Sequence, residues 1–113
     1  SKKDMIFEII MMRFDILQQH RQAINSIYIN LKKNPKDLAF LLPDILHSIM
    51  LIFKYAKIDT KGIVGPLKIK GVFIIYISTF FTWKKDNSDS LEKTMTSLDD
   101  YLNRADSILK FIN

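Results

Sequence analysis

Between Asp4 and Gln18 apolar residues return every three or four positions: Met5, Ile9, Met12 and Ile16, with Ile6, Ile10 and Leu17 broadening the line. That period predicts a first amphipathic helix. From Gln22 to Lys33 the same spacing recurs in Ile24, Ile27, Tyr28 and Leu31, and Lys32 and Lys33 stand where cations favour a helix C-terminus. Asn34-Pro35 is expected to end this second helix, because asparagine tolerates a left-handed cap and proline has no hydrogen to donate. The third segment, Lys36 to Lys57, contains Pro43. A kink or a restart is expected there, since proline deep in a helix costs about 3 kcal/mol. After it Ile45, Leu46, Ile49, Ile52, Phe53 and Ala56 make a stripe wide enough for a central helix.

Asp59 to Pro66 holds two of the three glycines and one of the three prolines, and reads as a loop within one domain. The fourth element, Leu67 to Asp86, is apolar on nearly every side: Ile69, Val72, Phe73, Ile74, Ile75, Tyr76, Ile77, Phe80, Phe81 and Trp83 leave almost no polar face. A run so rich in β-branched and aromatic residues could also be a buried strand. It is longer than a typical strand, lacks turn signals at hairpin distances and has no second strand to pair with, so a helix is expected. In the fifth element Asp89 and Glu92 have the spacing of an N-terminal cap. Leu91, Met95, Leu98, Leu102, Ala105, Leu109 and Ile112 follow at alternating intervals of four and three, a seam three heptads long. Lys93, Asp99, Asp100, Asn103, Arg104 and Lys110 occupy its other faces. The expected fold class is all-α, a bundle of five to six helices forming one domain over residues 1–113.

Composition sharpens this picture in one respect. Apolar residues make up 48% of the chain against 26% charged, which excludes a disordered tail and leaves more grease than a domain of 113 residues needs. The longest uncharged stretch, Gly71 to Trp83, is thirteen residues, short of the roughly 20 that a spanning helix needs, so no transmembrane segment is expected. With Ser1 first and no basic-then-apolar leader, the chain reads as an excised fragment of a cytoplasmic protein, with peripheral membrane contact compatible. Net charge is +5, yet fourteen of the seventeen basic residues are scattered lysines, the pattern of solvation rather than of a phosphate-gripping face.

Candidate chemistry changes little. There is no cysteine, hence no disulfide, thiolate metal site or thiol nucleophile. His20 falls near a helix junction and His47 inside the third helix, neither with a second ligand at helical spacing, so no metal is expected. The carboxylates Asp86, Asp89, Glu92, Asp99 and Asp100 sit around a loop and on a polar helix face, where capping and solvation account for them better than acid-base work. Gly62 and Gly65 lack the strand before and the Gly-Lys-Ser/Thr after that a phosphate loop requires. No catalytic residue and no cofactor are expected, and the chain is read as no enzyme.

What remains is apolar surface, and three arrangements would satisfy it. An identical chain could cover the open side of helices four and five in an isologous four-helix interface using Phe80, Phe81, Trp83, Leu91, Met95, Leu98 and Leu102. The helices could instead part around a hydrophobic ligand among Phe14, Ile49, Phe53, Phe73, Tyr76 and Ile77. The plainest alternative is a tightly packed monomer core.

Several stretches resemble a known family. Asp4-Met5-Ile6-Phe7-Glu8, Met12-Arg13-Phe14-Asp15 and Leu17-Gln18-Gln19-His20-Arg21 look like the opening of the regulatory domain of TetR-type proteins. Ala56-Lys57-Ile58-Asp59-Thr60, Trp83-Lys84-Lys85-Asp86-Asn87-Ser88, Lys93-Thr94-Met95 and Leu98-Asp99 continue the likeness over nearly the whole chain, and the tail also resembles Coq-nine-like accessory proteins of ubiquinone biosynthesis. The resemblance implies a domain that dimerises through its last two helices and holds a small apolar effector. In that family a helix-turn-helix precedes this domain and reads DNA as a dimer, so DNA would be reached only through a module expected to lie outside this fragment. In the Coq-nine-like branch the implied ligand is a lipid or isoprenoid, although the further helix some members use for membrane contact is not expected here. The leading expectation is the homodimerising, hydrophobic-ligand-binding domain of a TetR-like transcriptional regulator, with a lipid-binding ubiquinone accessory protein as the alternative.

Overall fold

Five α-helices account for most of residues 1–109, the part of the chain that the computed structural model describes. They are α1 (Lys2–Gln19), α2 (Arg21–Lys33), α3 (Pro35–Tyr55), α4 (Val64–Lys85) and α5 (Glu92–Leu109). No strand occurs among the described residues, so the apolar segment around Tyr76 is helical. The expected seam residue Ile112 lies outside the described residues.

α1 begins where the Ser1 hydroxyl accepts the Asp4 amide hydrogen, with the Asp4 carboxylate in the first turn. Its buried line is Ile6, Ile10, Met11 and Phe14, whereas Met12 and Ile16 of the expected stripe are exposed. Both lines satisfy the same period; packing turns the helix toward the flanking one, which includes the bulky Phe14. α2 follows after a break of one residue, the His20 carbonyl accepting the Ile24 amide as the first bond of the new helix. It ends at Asn34 as expected, although Asn34 stands at φ −128° and not in a left-handed cap.

The restart expected at Pro43 does not occur, because α3 runs unbroken from Pro35 to Tyr55. Proline withholds a hydrogen from the carbonyl four residues earlier, that of Ala39. Both residues lie on an exposed half of the helix, where water can take the vacant bond. α4 likewise starts earlier than the glycine and proline suggest, at Val64. Gly65 and Pro66 belong to its first turn, where the missing amide hydrogen of proline would have no helical acceptor anyway.

The core is gathered around the inner faces of α1, α3, α4 and α5, with Phe14, Phe53, Ile49, Val72, Trp83, Leu98 and Leu102 buried at its centre. α5 packs along α4 and α1, and α3 along α4. α2 and the first half of α3 contribute no fully buried residue, so they ride on the outside of this core.

The end of α3 carries a stored strain. The Ile58 amide donates to the Phe53 carbonyl and the Lys57 amide to the Lys54 carbonyl, while Lys57 stands at φ 58°. This is the Schellman arrangement, with lysine in the left-handed position that glycine usually fills, and Ile58 packed into the core beyond it. A left-handed non-glycine residue costs about 1–2 kcal/mol. Lys57→Gly is therefore expected to stabilise the fold by about 0.5–1 kcal/mol after the added freedom of the unfolded chain is subtracted. Thermal unfolding should show the melting temperature rising by roughly 3–5 °C, and a fall would mean the lysine side chain contributes contacts that outweigh the strain.

Candidate functional site

The side-chain hydrogen bonds that join residues more than sixty positions apart meet at one place, the end of α4. The Arg21 guanidinium, at the start of α2, donates to the carbonyls of Trp83 at 3.0 Å, Lys84 at 3.4 Å and Asp86 at 3.0 Å. The Trp83 and Lys84 carbonyls lie in the last turn of α4, at its negative pole, where the Trp83 carbonyl also accepts the amide of Asp86, the residue that caps the helix. The same guanidinium stacks 4.3 Å from the Trp83 ring centroid. Gln18, one turn earlier on α1, completes the group: its Oε1 accepts from Arg21 Nε and from Trp83 Nε1 at 2.9 Å. Lys84 sits 3.2 Å above the Tyr28 ring, which in turn packs on Phe80 and Phe81. Together these contacts hold α2 against α4 although α2 buries no residue completely.

Asp86 hands the clasp on to α5. Its Oδ1 accepts from the Ser88 amide and hydroxyl, and its Oδ2 from the Thr94 amide at 2.9 Å and the Thr94 hydroxyl at 2.8 Å. Burial by itself would raise the pKa of this carboxyl, but the four hydrogen bonds outweigh it and hold the group well below the usual carboxylate range. Ser88 Oγ then accepts the Glu92 amide, so Asp86 and Ser88 cap α5 rather than Asp89, which is exposed. The residue entering the helix, Leu91, takes φ 55° and is held in that strained state by its buried side chain.

This clasp can do no acid-base chemistry, since its one carboxylate is saturated with donors. Elsewhere, among the described residues, no three His, Asp or Glu side chains gather.

The six residues expected around a ligand divide between core and rim. Phe14, Ile49 and Phe53 are fully buried, and Phe73, Tyr76 and Ile77 are half-buried. Phe14 and Tyr76 stack with centroids 5.5 Å apart. Two surface grooves lie elsewhere. One of about 560 Å³ at the end of α3 is lined by Met50, Leu51 and Ile58 with His47, Lys54, Lys57 and Lys61 around them. A more open one of about 490 Å³ runs along Thr82, Glu92, Lys93 and Thr96.

The seven residues expected at a dimer interface are also divided. Trp83, Leu91, Leu98 and Leu102 are enclosed within the chain itself, because α5 lays its seam on α4 and α1 of the same protomer. Phe81 and Met95 are exposed and Phe80 is half-buried. The open face of α4 contains more than these. Leu67, Ile74 and Phe81 follow one another at intervals of seven, 50%, 61% and 46% exposed, on the side opposite the buried Val72, Thr79 and Trp83. By length and composition α3 and α4 would each reach across a bilayer, a property that core helices of helical bundles share.

Comparison of the chain with known protein families, with curated proteins and with solved structures returned no match.

Proposed function

We propose that the chain is the dimerisation and hydrophobic-ligand-binding domain of a TetR-like transcriptional regulator, without catalytic activity of its own. The observation that carries this reading is the second seam on α4. Leu67, Ile74 and Phe81 repeat at heptad spacing on a face that the protomer leaves largely open, the Tyr28 ring reaching only Phe81, and Gly71 and Ser78 beside them are small enough to let another helix approach closely. A second copy presenting the same seam would bury all of it about a two-fold axis. The expected interface thereby moves from the inward seam of α5 to the outward seam of α4, with Phe81 common to both.

A ligand would shift such a dimer by binding one packing of α3 against α4 better than another. The groove at the end of α3 offers apolar walls at Met50, Leu51 and Ile58 and cations at its edge. The lipid-binding accessory role in ubiquinone biosynthesis is the second reading, favoured by the apolar residues that α3 leaves exposed along both sides, Leu38, Leu42, Met50 and Leu51 among them.

Sedimentation tests the dimer. The wild-type chain is expected to sediment as a dimer at micromolar concentration. Ile74→Glu, which would set two unpaired carboxylates at the centre of the seam, should weaken pairing about a hundredfold, or ~2.7 kcal/mol, with its helical signal unchanged. A wild-type monomer at that concentration would remove the reading. Native mass spectrometry tests the apolar ligand that both roles call for, and a chain that carries no lipid or quinone would weaken each of them.

A further inference from the structure

The first half of α3 is largely open, with only Ile45 partly buried against the core. From Pro35 to Leu46 no residue is buried, although Leu38, Phe40, Leu41, Leu42 and Leu46 are all large and apolar. Along its outward face Lys36, Phe40 and Asp44 are spaced four residues apart, and so stand one above the other. Phe40 is 78% exposed, more than any other aromatic side chain among the described residues. Lys36 and Asp44 are both exposed, and neither has an ion-pair partner among the described residues.

A stripe that reads cation, ring, anion is complementary to itself reversed. With a rise of about 1.5 Å per residue, Lys36 and Asp44 lie about 6 Å to either side of Phe40 along the helix axis. A two-fold axis passing beside Phe40 therefore sets each Lys36 against the Asp44 of an antiparallel copy, and the two phenylalanine rings against each other. We propose that this stripe is a self-association surface, where the α3 helices of two copies cross in antiparallel at Phe40. The occupant is a second copy of this chain because the charges fit only when reversed. A bilayer would meet the Asp44 carboxylate one turn from the ring, in the middle of the apolar contact. The pairing is separate from the α4 seam and does not depend on it. Since two half-helices bury less than an interface of standard size, the pairing is weak.

The chain has no cysteine, which makes the crossing directly readable. Phe40→Cys places the single thiol beside the axis, where its twin faces it. Under mild oxidation it is expected to form a disulfide-linked pair at least about tenfold faster than Asn103→Cys, an exposed control on α5. In the Phe40→Cys chain, Lys36→Glu or Asp44→Lys alone should slow the reaction roughly fivefold, because each sets like charges opposite one another twice. The double exchange Lys36→Glu with Asp44→Lys should return it to within about twofold, since the stripe is again self-complementary. Adding Ile74→Glu should leave the rate intact, so failure of the α4 dimer and failure of this crossing give different results. A Phe40→Cys rate no faster than the control, or a double exchange as slow as either single change, overturns the proposal, provided circular dichroism shows the variants folded. So does a thiol that reacts only after anionic phosphatidylglycerol vesicles are added, which would assign the face to a bilayer.

Discussion

Asp86→Ala is expected to cost about 3–4 kcal/mol, enough to leave a marginally stable domain of this size partly unfolded at room temperature. The substitution removes the acceptor of four hydrogen bonds at once. Two of the stranded donors, the amide and hydroxyl of Thr94, are buried where water does not replace the lost oxygen. The first turn of α5 loses its cap in the same step. Asp86→Asn should cost about half as much, because an amide keeps one accepting oxygen but turns a donor toward the donors that remain. The acid limb of the stability curve separates charge from shape. The folded carboxyl has its pKa depressed below the ordinary value of 3.8, so its contribution is complete at pH values above that and fades as the pH falls toward the folded value, where the folded state also takes up the proton. Urea titrations should find the wild-type advantage over Asp86→Asn constant from about pH 5 to 8 and shrinking below pH 4. An advantage that grew toward acid would show that the carboxyl is protonated in the folded protein.

That clasp also shows which parts of the fold were legible in the chain and which were not. Four of the helices follow from the three-to-four-residue spacing of apolar residues and the end of α2 from Asn34-Pro35, local signals read within one turn, whereas α4 follows from the length of its apolar run and the lack of a strand to pair with. Which of two equally periodic lines faces inward is not local. On α1 the choice between Ile6-Ile10 and Met12-Ile16 is made by α4, which brings Trp83 and Tyr76 against Phe14. The cap of α5 is misread for the same reason: Asp89 has the right spacing, but Asp86 reaches Thr94 eight residues on because the chain turns through Ser88 and a left-handed Leu91. An Asp-Asn-Ser directly after a lysine-ended helix was the available signal for that turn. No sequence period announces Arg21, whose carbonyl acceptors lie more than sixty residues away. The candidate binding face was half legible. Excess grease in α4 is plain from composition, but the choice between the α5 seam and the Leu67-Ile74-Phe81 line depends on which one the protomer covers for itself.

Gly65→Ala should be more damaging than its position in a helix suggests. In an ordinary helical turn this exchange gains about 0.5–1 kcal/mol, because alanine is the better helix former. Here the new Cβ would lie 1.7 Å from the Thr60 carbonyl oxygen and 2.3 Å from its carbon. The obstacle is backbone, and its surroundings leave it little room to retreat. Asp59 accepts the Lys61 amide on its side chain and the Lys68 ammonium on its carbonyl, while Ile58 is anchored in the core just before. Either the loop lifts off α4, exposing Ile58, or the first turn of α4 unwinds. Both routes cost about 3 kcal/mol or more. Gly62→Ala provides the contrast. Gly62 stands at φ 76° with nothing within 4 Å of an added Cβ, so alanine there meets only the left-handed penalty of about 1 kcal/mol. Paired urea titrations at pH 7 should therefore rank the two glycines with Gly65 as the costlier site by at least about 2 kcal/mol. Equal losses, or a gain at Gly65, would mean that the loop does not press on the start of α4, and the groove floored by Ile58 and Thr60 would then lack the rigid wall that its shape requires.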